Sequence, residues 1–179
     1  MQPETVLKFW FEEIDSSSWW KKDEKFDQQI KQRFQEVHLE ASQSALFDWR
    51  VTPEGRLAEI LVLDQFSRNM YRDQPGAFAQ DPLALALAQE AVAVGDHKKL
   101  EGSQQLFMIM PYMHSESLKV HDAALPLFED LGRPGNLDFE KRHRDIIVRF
   151  GRYPHRNAIL GRESTAEEIA FLNEPNSSF

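Results

Sequence analysis

The sequence contains no cysteine, and this absence removes several classes of protein at once. Without cysteine there is no disulfide, no thiolate nucleophile, and no cysteine ligand for zinc or an iron–sulfur cluster. Long apolar runs are also missing, since no stretch approaches the roughly 18 residues that a membrane-crossing helix needs. The first residues lack the basic and apolar regions of a secretory signal, so we expect a cytoplasmic protein without a membrane partner.

Positive charge is scarce over most of the sequence. The formal net charge is −8 over 179 residues, which argues against broad nucleic-acid binding, because that binding depends on neutralising many phosphates. The length predicts a single domain, residues 1–179, and the 41% hydrophobic and 28% charged residues are typical of a globular protein. Phosphate-binding glycine loops and the GxSxG motif of hydrolases are absent, so no nucleotide or hydrolase motif names a function.

Apolar residues recur at helical spacing throughout, and strand-like alternation does not. This pattern predicts an all-α protein of seven to eight helices, packed as antiparallel pairs. The expected helices cover about residues 3–15, 23–47, 52–71, 83–94, 100–113, 115–131, 139–150 and 165–172. Their ends carry recognisable signals: Thr52 and Ser115 as N-caps, Asp81 before Pro82, Gly151 as a stop, and a capping box opening at Thr165. Pro111 should disturb the fifth helix, and Pro126 lies within the sixth.

Residues 142–162 form the one strongly basic segment. They hold six of the twelve arginines and two of the six histidines, with a local charge of +5, so the other 158 residues sum to −13. Arginine binds phosphate or carboxylate through two parallel hydrogen bonds, which favours a pocket for an anionic ligand. The same arginines could instead bind acidic side chains and helix ends of this acidic protein as a structural latch. The sequence leaves these two interpretations equal.

Two further groups of residues accompany this segment. Asp64, Arg68 and Arg72 lie on one face of a helix that is apolar on nearly every other side, so an internal ion pair is the favoured interpretation. His114 precedes a helix start, where it either faces a cleft or satisfies backbone groups. His143 lies on an apolar stripe with Phe139. No histidine pair has the spacing of a metal site, so no metal is expected and a metal-dependent hydrolase is the weakest hypothesis.

The sequence resembles a bacterial family catalogued as domain of unknown function 924. The runs that carry the resemblance are DQFSRN (64–69), HSE (114–116), RFGRYPHRN (149–157) and LGREST (160–165), with FWF (9–11) near the start. They appear in the same order along nearly the whole chain. The resemblance implies an all-α, tetratricopeptide-like fold, and it implies no particular reaction.

Taken together, these residues predict a small-molecule binding protein whose pocket accepts an anionic phosphate or carboxylate ligand. They leave open whether the protein is an enzyme. His114 and His143 are the candidates for proton transfer, because histidine titrates near neutrality. The candidates for ligand binding are Asp64, Arg68, Asn69, Arg72, Glu116, Arg152, His155, Arg156 and Asn157. No cofactor follows from the sequence. The alternative is a tetratricopeptide-like module for a peptide or protein partner, in which the arginine-rich segment is the latch.

Overall fold

The computed structural model describes residues 1–178, and every regular element among them is helical. Counted with their π-helical turns, these residues form eight helices, which confirms the all-α prediction. The helices are α1, Pro3–Lys8 continued by a π-helical turn at Phe9–Glu13; α2, Glu24–Ser42; α3, Pro53–Leu61 continued by a π-helical turn at Val62–Phe66 and by Ser67–Met70; α4, Asp81–Ala93; α5, Gly102–Met113; α6, Leu118–Asp130; α7, Pro134–Phe150; and α8, Ala166–Leu172. Short 3₁₀ segments lie at Ser16–Trp20, Phe47–Val51, Pro75–Ala77, Asp96–Lys99 and Pro154–Arg156.

The helix ends follow local sequence signals at three of the expected places. The Thr52 hydroxyl accepts the N–H of Gly55 at 3.1 Å, and this caps α3. Gly151 ends α7 in the left-handed region, at φ 69°. Thr165 and Glu168 form the expected capping box at the start of α8. Gly55 is also required by packing, since a Cβ atom there would lie 1.9 Å from the carbonyl oxygen of Trp49.

Other expected helix ends are wrong. Helix α2 ends at Ser42 rather than near residue 47, and Ser44 then adopts a left-handed conformation at φ 57° that no α-helix can include. Ser115 does not cap α6, which begins at Leu118 with Ser117 as its N-cap residue. Asp81 is the first residue of α4 rather than its cap. The prolines interrupt neither α5 nor α6.

The first of two compact units comprises residues 1–72 and 76–111. Helix α3 is its centre, because α1 and α4 both pack on α3, and α2 packs on its π-helical and final turns. Leu57, Ile60, Leu61 and Leu63 of α3 are fully buried. A group of aromatic rings fills the space around them: Phe9, Trp10, Phe34, Phe66 and Phe107.

The second compact unit comprises Asp73–Pro75 and the chain from Tyr112 onward. Helices α6 and α7 pack side by side, joined by three residues, and α8 contacts the Pro154–Arg156 segment. Ile146, Ile147, Tyr153 and Phe171 form its apolar cluster. Phe139, which shares the apolar stripe of His143, is 49% exposed. The prediction of one domain over residues 1–179 stays a prediction. Over residues 1–178, no helix combines the length and the apolar character needed to span a membrane.

Candidate functional site

The predicted site residues divide between the two compact units. The four on α3, Asp64, Arg68, Asn69 and Arg72, belong to the first unit. The other seven belong to the second unit: His114, Glu116, His143, Arg152, His155, Arg156 and Asn157. Each set is described below within its own unit.

Asp64 and Arg68 form the internal ion pair that their spacing predicts. Asp64 lies in the π-helical turn of α3 and is 1% exposed. Arg68 Nη1 lies 2.9 Å from one carboxylate oxygen of Asp64, and the side-chain amide of Gln65 donates to the other at 2.6 Å. The same guanidinium donates two bonds to Asp81, at 2.8 and 3.0 Å. Arg68 therefore joins two carboxylates of its own unit.

Asn69 and Arg72 both bind Asp27 of α2, a buried carboxylate that sequence reasoning missed. The Asn69 amide donates to Asp27 Oδ1 at 2.8 Å. Arg72 donates two bonds to the same carboxylate, at 2.5 and 2.8 Å. These contacts tie α2 to the end of α3. Asp27 lies three positions before Ile30 and seven before Phe34, both fully buried, and this helical spacing is the sequence signal for its burial.

Glu116 of the second unit lies in the connection between α5 and α6 and holds two distant parts of the chain. It accepts the backbone N–H of Tyr153 at 2.7 Å and two bonds from the Arg162 guanidinium at 2.7 and 2.9 Å. Burial raises the pKa of Glu116, but the bonds from Arg162 and Tyr153 outweigh that effect and leave this pKa below its usual value. Arg162 also donates to the carbonyl of Tyr153 and to the side chain of Asn157.

Arg152 makes the corresponding contact with Glu168. Its guanidinium donates two bonds to that carboxylate, at 2.6 and 2.8 Å, and a third to the carbonyl of Glu163 at 2.8 Å. The Arg152 bonds, helped by the Thr165 N–H and by Asn157, lower the pKa of Glu168 to about 2. Asn157 is fully buried and also donates to the hydroxyl of Ser164 at 3.1 Å. Arg152 therefore fixes the start of α8 to the end of α7.

The other arginines of residues 142–162 also have partners within the unit. Arg156 is buried, donates to the carbonyl of His114 at 3.0 Å, and lies over the Tyr153 ring at 4.6 Å. The remaining pairs are Arg142 with Asp138, Arg144 with Asp122, and Arg149 with Glu167. Every guanidinium of the basic segment thus contacts an acidic side chain or a backbone oxygen.

Tyr153 is surrounded by histidine rings. His121, His143 and His155 have their ring centroids 6.4, 5.8 and 5.5 Å from that of Tyr153. His143 Nδ1 donates to the carbonyl of Phe139 at 2.7 Å, because a carbonyl can only accept. Burial, with smaller contributions from the neighbouring histidines, lowers the pKa of His143 to about 3. His143 is thus a weak base at neutral pH, which counts against it as a proton-transfer group.

A fully buried histidine–glutamate pair lies in the second unit, and the sequence analysis did not identify it. His121 and Glu140 are both 0% exposed, with His121 Nδ1 2.7 Å from Glu140 Oε1. His121 Nε2 donates to the carbonyl of Ser115 at 2.9 Å, and the Tyr153 hydroxyl donates to the carbonyl of Met113 at 2.6 Å. Burial raises the pKa of Glu140, although the hydrogen bond from His121 opposes this effect. The pair connects α6 to α7.

An open groove of about 750 Å³ runs along α2 in the first unit. Its lining includes Glu36, His38, Leu39, Glu40, Tyr71 and Gln80, none of which the sequence analysis selected. His38 is 6% exposed, and its Nε2 lies 2.8 Å from the hydroxyl oxygen of Ser67. Such a volume is in the range of ligand-binding clefts, about 300–1,000 Å³. In the part of the chain that the structure describes, no three histidine, aspartate or glutamate side chains are arranged to hold a metal ion.

Comparisons with known proteins agree with this fold. A solved structure of a protein of unknown function from Agrobacterium tumefaciens is similar to this chain, with 36% sequence identity, 96% of each chain covered and a TM-score of 0.90. Among curated proteins, none matches. The model of a family described as a bacterial protein of unknown function (DUF924) matches residues 6–176. The chain therefore belongs to this bacterial family, as its sequence motifs predict.

Proposed function

We propose that this protein is a helical interaction module that binds a peptide or protein segment, and that its arginine-rich segment is an internal latch. One observation carries the proposal: the guanidinium groups of Arg152 and Arg162 each donate two hydrogen bonds to a carboxylate of the same unit, Glu168 and Glu116 respectively. An anionic ligand would have to displace these carboxylates, and each displaced carboxylate would then need a new partner. A tetratricopeptide-like array is the architecture we propose, on the basis of the family resemblance and of the α6–α7 pair.

The groove along α2 is the binding surface that we propose for this module. It is open, it follows a helix of 19 residues, and it has both polar and apolar lining residues. Leu39 lines it with 57% of its surface exposed, although the other large apolar residues of α2 are buried. The volume of the groove and its open, elongated form along α2 are what favour a peptide or protein segment as the occupant.

The latch is tested by a double-mutant cycle. We expect Glu116→Gln and Arg162→Gln to be coupled by about 2 kcal/mol in the free energy of unfolding, because each single change leaves a partly buried charge without its partner. The matched control is the exposed pair Asp138 and Arg142, for which we expect coupling below about 0.5 kcal/mol. Urea unfolding of the four variants in each cycle measures both values.

The same proteins distinguish the latch from an anion pocket. If the arginine-rich segment is a latch, phosphate and dicarboxylates do not raise the melting temperature of the unchanged protein. A rise that disappears in the Arg152→Gln/Arg162→Gln variant, while that variant stays folded, would contradict the proposal and support the anionic-ligand hypothesis. That hypothesis, with His114 or His143 as a proton-transfer group, stays a prediction.

A further inference from the structure

Four of the chain's six histidines lie close together in the second unit. His121, His143 and His155 surround the ring of Tyr153, and His114 is near enough to His143 for their charges to interact. His143 is only 6% exposed, and a proton on it would be repelled by a proton on any of the other three. The closed cluster therefore disfavours a positive charge on His143.

The nearby acidic groups have partners other than His143. Glu140, from the preceding turn of α7, bonds to His121, and its second oxygen, Oε2, is buried without a hydrogen-bond partner among residues 1–178. Other charged side chains of this unit are paired with one another, as Asp122–Arg144, Arg149–Glu167 and Arg152–Glu168. A buried polar atom without a partner raises the free energy of the closed arrangement, and access of water relieves that cost.

Tyr153 belongs both to this histidine cluster and to the latch. Its backbone N–H donates to Glu116 at 2.7 Å, and its carbonyl accepts from Arg162 at 3.1 Å. Arg156 lies over its ring. Because the same ring packs against His143, a displacement of Tyr153 exposes His143 to water and breaks the latch contacts of Glu116 and Arg162 at the same time.

We infer that acid opens the latch. In the open form, residues 153–162 leave their partners, and His143 meets water and binds a proton that the closed cluster disfavours. A proton bound by the open form alone shifts the equilibrium toward it, so the open population rises as the pH falls below about 6.5. The opening is local, and the first unit stays folded. This inference rests on the latch of the proposed function and names its regulator, the proton.

Amide hydrogen exchange of the full chain measures the opening. The probes are five amides whose hydrogen bonds the opening breaks: Tyr153, Arg156, Asn157, Leu160 and Arg162. Dividing each measured rate by the intrinsic chemical rate at the same pH gives an opening equilibrium constant. The pKa of His143 is about 3 in the closed form and returns to its ordinary value of 6.5 in the open form. From pH 7 to pH 5, protonation of His143 should therefore multiply the opening constant about 25-fold.

Two variants separate this effect from other titrations. His143→Asn keeps a donor for the carbonyl of Phe139 but does not titrate, so the 25-fold factor should be missing from its probes, at about the same Glu140 contribution. His38→Gln is the matched control. His38 is also a buried histidine with a lowered pKa, but it lies in the first unit, and glutamine can still bond to Ser67. We expect its probes to keep the acid response within about twofold.

Tryptophan fluorescence shows whether the first unit stays folded, because all four tryptophans belong to it. We expect this emission to be unchanged between pH 7 and pH 5 while the probes respond. At pH 5 the opening constants of the probes should exceed those of amides in α3 by about tenfold or more. This comparison lies within the unchanged protein, so it decides the question even if His143→Asn does not fold.

Three results would overturn the inference. The first is an equal acid response in His143→Asn. The others are a response that His38→Gln reduces as much as His143→Asn does, and probe opening constants equal to those in α3, because both indicate unfolding of the whole chain. The Glu116 and Arg162 cycle at pH 7 separates this inference from the latch itself. Coupling there without an acid response refutes the inference and leaves the latch, whereas absent coupling refutes both.

Discussion

Replacing Glu140 with alanine is expected to lower the free energy of unfolding by about 4 kcal/mol, because His121 Nδ1 would lose its hydrogen-bond partner in a fully buried site and a cavity would remain. We expect a similar loss for His121→Ala, since the carbonyl of Ser115 would also lose its donor. Urea unfolding measures both. Asp122→Ala is the control, because it removes an acidic partner of similar type from the exposed pair with Arg144 and should cost about 0.5 kcal/mol or less.

Glu140→Gln identifies where the shared proton lies. The carbonyl of Ser115 fixes one proton on His121 Nε2, so a further proton lies between Nδ1 and Glu140. If the proton lies on the carboxyl group, Glu140 donates to Nδ1, and the burial that raises the pKa of Glu140 favours this arrangement. A glutamine amide can donate in the same way, so this variant should lose only about 1 kcal/mol. A loss equal to that of Glu140→Ala would show instead that the pair is ionic.

His143 is expected to reduce the stability of the protein as the pH falls below about 6.5, well before most carboxylates titrate. Burial holds the pKa of His143 at about 3, whereas the unfolded chain binds a proton at the ordinary value of 6.5. Between these two values the unfolded state therefore binds more protons, and each pH unit costs up to about 1.4 kcal/mol. By pH 3 the unfolding free energy lost through protonation of His143 in the unfolded state amounts to about 4 kcal/mol.

The His143→Asn variant isolates this effect. Its side-chain amide can still donate to the carbonyl of Phe139 but does not titrate, so the dependence of unfolding free energy on pH should become shallower between pH 6.5 and 4.5. Other titrating groups change the unfolding free energy mainly outside this pH range or in the opposite direction. The lowered pKa values of Glu116 and Glu168 matter below 4.5, whereas the raised pKa of Glu140 partly opposes His143 above 4.5. Identical pH profiles for the two proteins would contradict a neutral, buried His143.

The features that the sequence predicts correctly are local. The Thr52 cap, the Gly151 stop and the Thr165 capping box each depend on residues within a few positions of one another. The Asp64 and Arg68 contact is likewise set by helical spacing. The same reasoning fails at the end of α2, where the apolar stripe continues to Ala45 but Ser44 leaves the helical region.

The contacts that define the candidate site are distant in sequence, and no local pattern specifies them. Glu116 meets Arg162 across 46 positions, Asp27 meets Arg72 across 45, and His38 meets Ser67 across 29. The sequence shows that the arginines need anionic partners, but the fold decides whether those partners are internal. The sequence alone therefore does not distinguish the two interpretations of residues 142–162. The carboxylates that Arg152 and Arg162 bind in the structure favour the latch.

Mapping of backbone amide chemical shifts during titration with inorganic phosphate tests the central claim, that residues 142–162 are an internal latch, most directly. If they are a latch, the amide shifts of these residues change little, because Arg152 and Arg162 already bind Glu168 and Glu116. If the largest shifts fall instead within residues 142–162, the arginine-rich segment is a binding site rather than a latch, and the account is wrong.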